Sequence, residues 1–239
     1  MRSSTLYFLP TIECVVINRL NRFVVRIKVN GQEALAHTNN TGRLKDFIRK
    51  GALARCTEKY GGKTQYRLIA VQDPSVMDHR YALIDTREQM KGFENAVKQG
   101  LIPIFRKCVI LRRNPRIGES VLDYKLACID KEFFLEIKSA VQRKDKFTAT
   151  FPDAPTMRGR RHLKEIIMLI KKGIGAGVLF IAGIPETKFF TPNDDIDPSL
   201  RALLKEIRRL GGLIAGVSMY YNARDESIVL ENPELAILL

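Results

Sequence analysis

The apolar residues of this chain change rhythm near residue 83, and that change restricts the fold more than any other feature. Before it, Val- and Ile-rich runs at 13–17 and 23–29, and further apolar runs at 51–56 and 66–71, are short and separated by turn residues. Asn30-Gly31 is a hairpin turn signal, and Gly61-Gly62 marks a second reversal. Short strands punctuated by glycine turns predict a small β-barrel. After residue 83 the pattern alternates. Thr86-x-x-Gln89 reads as a capping box, and Met90, Phe93 and Val97 recur at helical spacing up to Gly100. Strands are predicted at 120–128 and 133–138 with a tight turn at Asp130-Lys131, and a helix at 160–172 with Leu163, Ile166, Ile167 and Ile170 on one face. An uninterrupted apolar strand at 178–182, a helix from Asp197-Pro198 to Gly211-Gly212 and a last buried strand at 213–220 complete the series. The expected fold is α/β (α+β): a barrel over 1–83, and over 84–239 a separate mixed sheet flanked by helices.

Charge narrows the partners. Lys and Arg number 40 against 26 Asp and Glu, a net +14, and the first 83 residues hold +8 of it. Such an excess suits a polyanion, either nucleic acid or an anionic membrane. No apolar run approaches the roughly 20 residues of a membrane span, and the first ten residues lack the apolar core of a leader. The cations are scattered through both halves, so nucleic acid is the expected partner and no membrane contact is expected. Cys14, Cys56, Cys108 and Cys128 are far apart with no C-x-x-C, which argues against zinc. The reading is buried free thiols in a cytoplasmic protein. A homo-oligomer is compatible with all of this.

Three residues stand out for chemistry. On a strand, Glu136 and Lys138 share a face while Leu135 and Ile137 take the other. A turn at Asp130-Lys131 would set Asp123 opposite Lys138 and diagonal to Glu136. Two carboxylates and an ammonium then converge, a set that suits Mg²⁺ or Mn²⁺ with Asp123 and Glu136 as ligands and Lys138 beside the attacking water. Glu-x-Lys is common, however, and recurs at Glu186-Thr187-Lys188, so a solvated cross-strand ion pair is the competing interpretation. Arg158, Arg160, Arg161, His162 and Lys164 cluster at a helix start, where free N–H groups and cations together seat phosphate. In the barrel, Arg43 follows the polar turn Asn39-Asn40-Thr41-Gly42 and reads as a second phosphate contact, the competing interpretation being a turn whose Asn and Gly simply supply unusual backbone angles. Phe23, Tyr60 and Tyr66 are more readily core than base-stacking residues. The Gly173–Gly177 run is superficially like a dinucleotide fingerprint, but it precedes a strand and reads as a loop.

The motifs Phe134-Leu135-Glu136-Ile137-Lys138-Ser139-Ala140, Phe151-Pro152-Asp153-Ala154-Pro155-Thr156, Arg158-Gly159 and His162-Leu163 resemble those of the sugar fermentation stimulation protein family. So do Ala36–Arg43 and the Ser-x-x-Asp of Ser120 to Asp123, and the resemblance spans nearly the whole chain. It implies an OB-like barrel joined to a PD-(D/E)xK nuclease-fold domain, DNA binding, and a link to the regulation of sugar metabolism. It maps Asp123, Glu136 and Lys138 onto the nuclease pattern, with Leu122 where the motif's proline would be. A helix carboxylate often completes such sites, and Glu94 is the candidate third ligand. The expected function is Mg²⁺-dependent phosphodiester hydrolysis on DNA. A non-catalytic DNA-binding regulator and an RNA-processing protein are the alternatives, because phosphate contacts distinguish neither base nor sugar.

Binding driven by so large a charge works through counterion release. Affinity for DNA should fall about a thousandfold between roughly 50 and 200 mM salt and vary little with sequence. Titrations of unrelated duplexes across that salt range check it.

Overall fold

The computed structural model describes residues 3–118, 120–129 and 131–239. Strand β1 (Ser4–Phe8) precedes a barrel of β2 (Ile12–Arg19), β3 (Val24–Val29), β4 (Gln32–His37), β5 (Leu53–Glu58) and β6 (Tyr66–Gln72). Its order is β4-β3-β2-β5-β6, and a parallel pairing of Ala36 with Tyr66 and His37 with Arg67 closes it. Asn30 and Gly31 both have positive φ (48° and 83°), the conformation the β3–β4 hairpin turn requires. Val16, Val25, Ile27, Ala54 and Leu68 fill the barrel interior at 0–1% exposure.

Strand β7 (Arg80–Leu83) leads to α1 (Thr86–Lys98), β8 (Cys108–Arg113), β9 (Arg116–Ile117), β10 (Ser120–Val121), β11 (Tyr124–Cys128) and β12 (Lys131–Ala140). Then come β13 (Arg143–Asp145), β14 (Thr148–Phe151), α2 (Met157–Lys171), β15 (Gly175–Ala182), β16 (Phe189–Pro192) and α3 (Ser199–Arg209). The chain finishes with β17 (Leu213–Asn222), β18 (Ser227–Asn232) and β19 (Ala236–Ile237). Strands β12, β15 and β17 are parallel neighbours, with β11 and β8 antiparallel beyond β12. Along β15, Val178, Phe180 and Ala182 face the core under α2 and α3, while Leu179 and Ile181 face the core under α1. Burial on both faces is why that strand is apolar throughout.

Several expectations need correction. The two sheets are not separate: β7 hydrogen-bonds β6 on one side and β17 on the other, so one ladder runs from barrel to α/β unit. Strand β1 does not join the barrel either; it pairs with β18. Helix α1 is capped by Asp85, whose carboxylate accepts from the N–H groups of Arg87 and Glu88, and not by Thr86. Gly175 and Gly177 lie in β15 rather than in a loop. Of the predicted turn, Asp130 lies outside the described residues and Lys131 is already in β12. Tyr124 faces Leu135, which puts Asp123 opposite Glu136 and not opposite Lys138. The register differs by two residues, and because side chains alternate with period two, the three residues still share a face.

The cysteines are also not free thiols. Cys14–Cys56 bridges β2 and β5, and Cys108–Cys128 bridges β8 and β11. Spacings of 42 and 20 residues carry no local pairing signal, and only the strand registers bring the sulfurs together. By loop-closure entropy these bridges contribute about 4 and about 3 kcal/mol. Reducing agent should therefore lower the urea midpoint of the parent. A Cys14→Ser/Cys56→Ser variant should already have lost the larger share, and paired unfolding curves with and without reductant check the order.

Candidate active site

Strand β12 builds the site by alternation. Leu135 is fully buried under α1 and Ile137 packs against the same core, which turns Glu136 and Lys138 toward the α2 face. Asp123 sits where β10 ends and β11 begins. Its Oδ2 accepts the Ile137 N–H at 2.7 Å, and its carbonyl accepts from the Asn114 N–H at 2.9 Å. Those two backbone bonds hold the carboxylate across the strand, next to Glu136. Beside it Tyr124, on the opposite face, is wedged against Phe93 with ring centroids 5.2 Å apart.

Glu136 is 3% exposed. Its Oε1 accepts from Lys138 Nζ at 2.5 Å and from His162 Nδ1. Its Oε2 is buried with no hydrogen-bond partner among the described residues. Arg158 Nε donates to His162 Nε2 at 3.4 Å, one helical turn away, which leaves the proton on Nδ1 to face Glu136. Helix α2 begins at Met157, with the Thr156 hydroxyl accepting from the Gly159 N–H at 2.9 Å. His162 thereby falls on the buried face with Leu163 and Ile166.

Two carboxylates this close cannot both be easily ionised. Burial, then the neighbouring Glu136, pushes Asp123 up to about 6, against the pull of the Ile137 N–H and of Lys138. Burial would also raise Glu136, but Lys138 and His162 outweigh it and hold its carboxyl below the usual range. Glu136 is the standing anion, and Asp123 is the group that takes a proton in mild acid.

Next to the carboxylates lies a cleft of about 300 Å³ between barrel and α/β unit, with Lys138 and Ser139 on one wall and Asn39–Gly42 on the other. The polar turn of the barrel is a clasp. Asn39 accepts from the Thr86 N–H at 2.9 Å and donates to Asp85, and Asn40 donates to the Ile84 carbonyl at 3.1 Å. The Leu44 N–H donates to Asp153 at 3.0 Å, and a Cβ on Gly42 would press into the Asp153 carboxylate, which would have to shift to admit one. Arg19 donates to the carbonyls of Asn40, Gly42 and Arg43.

The remaining site candidates separate into groups. Arg43, Arg158, Arg161 and Lys164 are exposed. Arg160 is half-buried against Asp197 at 3.2 Å. His162 is a correction: at 3% exposure it touches Glu136 and is not a surface phosphate contact. A signal for this was present, because 162, 163, 166, 167 and 170 form one helical stripe. Glu94 is not brought to the pair. It approaches from the α1 layer, accepting from the Tyr124 hydroxyl at 2.7 Å and pairing with Arg113. Among the described residues, no three of His, Cys, Asp or Glu form a metal-holding group. Glu186 and Lys188 lie in a loop, where Glu186 pairs with Arg80 and not with Lys188. Phe23 and Tyr60, read as core, are 47% and 90% exposed, and Tyr66 packs half-buried against the barrel core.

A closed five-stranded OB-like barrel continuous with a mixed α/β sheet, which carries the half-buried Asp123 and the buried Glu136 beside a lysine, defines the class of protein. Comparison with known proteins places it further. The SfsA N-terminal OB domain matches residues 17–82, and the sugar fermentation stimulation protein RE domain matches 87–225. The chain is 39% identical to the sugar fermentation stimulation protein homolog of Pyrococcus furiosus, over 92% of this chain and 93% of that one. It is 38% identical to the homolog of Archaeoglobus fulgidus, over 95% and 96%. The solved structure of Pyrococcus furiosus SfsA in complex with Ca²⁺ superposes with a TM-score of 0.92 at 37% identity, covering 99% of this chain and 100% of that one. The chain belongs to the sugar fermentation stimulation protein family. No helix among the described residues is long and apolar enough to cross a membrane.

The raised pKa of Asp123 has a consequence for stability. A carboxyl raised from 3.8 to about 6 favours folding fully below its unfolded pKa, and that contribution is lost as pH climbs through about 6. Two units amount to about 3 kcal/mol. In chelator, Asp123→Asn should raise stability by up to about that amount at pH 8 and leave it unchanged near pH 4. Denaturant unfolding at the two pH values checks the sign.

Proposed function

We propose that the protein is a divalent-metal-dependent phosphodiesterase acting on nucleic acid, DNA in the first instance, with little sequence preference. The observation that carries this reading is the half-buried Asp123 next to the buried Glu136, with Lys138 beside them and Glu136 Oε2 left unpartnered among the described residues. A buried carboxylate oxygen without a partner is costly, and a cation would satisfy it. Two hard oxygen donors suit Mg²⁺ or Mn²⁺, which keep several waters and take substrate phosphate for the rest. The Ca²⁺ in the Pyrococcus furiosus relative supports a hard-cation site in the family. Asp123 and Glu136 would hold the ion; when bound, it supplies Lewis acidity toward a phosphoryl oxygen and favours a hydroxide nucleophile.

The chain's own residues divide the rest of the work. Lys138 sets an ammonium, 11% exposed, where charge develops on the phosphoryl group, and it orients the attacking water. His162 holds Glu136 in place through Oε1 and leaves Oε2 free. Arg158, Arg161 and Lys164 on the first turns of α2, with Arg43 on the barrel, supply surface cations for the backbone of the nucleic acid. Arg160 is committed to Asp197, and Glu94 to Tyr124 and Arg113. The family's name favours a second reading, in which the protein is a DNA-binding regulator of sugar metabolism that does not cut.

Calorimetric Mn²⁺ titration, run beside cleavage assays on duplex DNA, single-stranded DNA and RNA, separates the readings. Asp123→Ala and Glu136→Ala should each abolish metal binding. Lys138→Ala should keep the metal and slow cleavage about 10²- to 10³-fold, as loss of one preorganised charge does. Metal binding undiminished in the double carboxylate variant would overturn the site, and a metal-loaded parent that cuts none of the substrates would establish the regulator.

A further inference from the structure

We propose that the cleft between barrel and α/β unit receives a single unpaired nucleic-acid strand, seating a phosphodiester beside Lys138 and a neighbouring base on the exposed Phe23–His37 stack. The inference rests on the phosphodiesterase reading of the adjacent carboxylates and narrows its substrate from nucleic acid in general to unpaired strands.

Size is the first argument. At about 300 Å³ the cleft is at the small end of ligand pockets, room for about one nucleotide and not for two paired strands. Its walls are also set before any ligand arrives. Arg19, Asn39, Asn40 and Asp153 tie the loop from Asn39 to Leu44 down on both sides, so little ordering is left for binding to do.

Chemistry is the second argument. Two cations, Lys138 and Arg22, line the cleft, and its one carboxylate, Asp153, is turned onto the Leu44 N–H. Arg22 leads out of the cleft to an aromatic surface, its guanidinium 5.7 Å from the centre of the Phe23 ring. Phe23 is 47% exposed, unusual for a residue that normally buries itself, and it stacks on His37 with centroids 6.4 Å apart and planes 19° from parallel. The loop carrying Arg22 and Phe23 joins the first two barrel strands, one of the loops with which OB folds hold oligonucleotides. A flat exposed ring next to a guanidinium receives a base face, and a base presents its face only when it is unpaired.

The test is fluorescence anisotropy in chelator. The probes are labelled oligodeoxyuridine and oligouridine strands of about twelve nucleotides, which differ only in the sugar, and a hairpin-closed duplex of similar length. At least one of the strands should bind about tenfold more tightly than the duplex, and which one does so identifies the sugar. Phe23→Ala removes the stacking face, and Thr41→Trp fills the cleft from an exposed loop position. Each should weaken strand binding about tenfold while duplex affinity stays unchanged. Phe23→Ala alters an exposed ring, so it keeps the test decisive even if the bulkier variant folds poorly. Duplex binding equal to or tighter than that of both strands would overturn the proposal, as would strand affinities within about twofold of the parent in the Phe23 variant. These measurements need no metal, so a failed Mn²⁺ titration would count against the phosphodiesterase reading without moving them.

Discussion

Strand β7, four residues long, hydrogen-bonds a barrel strand on one edge and a strand of the α/β sheet on the other. A ladder shared in this way cannot rotate, and it slips only by two residues with the loss of every matched side chain. The barrel is therefore a fixed extension of the sheet. Clasps at Asn39, Asn40 and Asp153 reinforce the junction on the side where the cleft opens. Without that rigidity the loop from Asn39 to Leu44 would have no defined place relative to Lys138, and the cleft would not exist as a shaped volume.

The same architecture explains how Glu136 keeps its charge where it is. A lone carboxylate at 3% exposure would neutralise itself by taking a proton. Lys138 and His162 prevent this from two elements, the strand itself and helix α2 packed above it. Asp123 carries the cost: its pKa rises first because it is largely removed from water and then because its neighbour remains anionic. Such an arrangement stores electrostatic free energy that a divalent cation would release on binding. Removing only one partner of Glu136 should therefore be worse for the fold than removing the whole cluster.

Much of this was legible in the residues themselves. The period-two pattern placed Glu136 and Lys138 together, the hairpin put Asp123 on their face even with the pairing register off by two residues, and the Asn30-Gly31 turn formed as its chemistry requires. His162 was half legible: its helical stripe pointed inward, but its basic neighbours suggested the surface. The cysteines were not legible at all, since spacings of 42 and 20 residues describe a chain and not the strands that bring the sulfurs together. Phe23 and Tyr60 were misread because an aromatic residue's ordinary preference is burial, and nothing local marks the exception.

The sequence by itself determined the kinds of element, the faces of each strand and helix, and the excess of positive charge. These follow from periodicities of two and 3.6 residues and from simple counting, all local properties. Only the tertiary structure decided that β7 joins the two sheets, that Glu94 remains with Tyr124, that His162 meets Glu136, and that a cleft opens beside Lys138. Each of these depends on the relative placement of segments far apart in the chain. That placement is set by the packing of whole faces against one another, which no single residue's preference encodes.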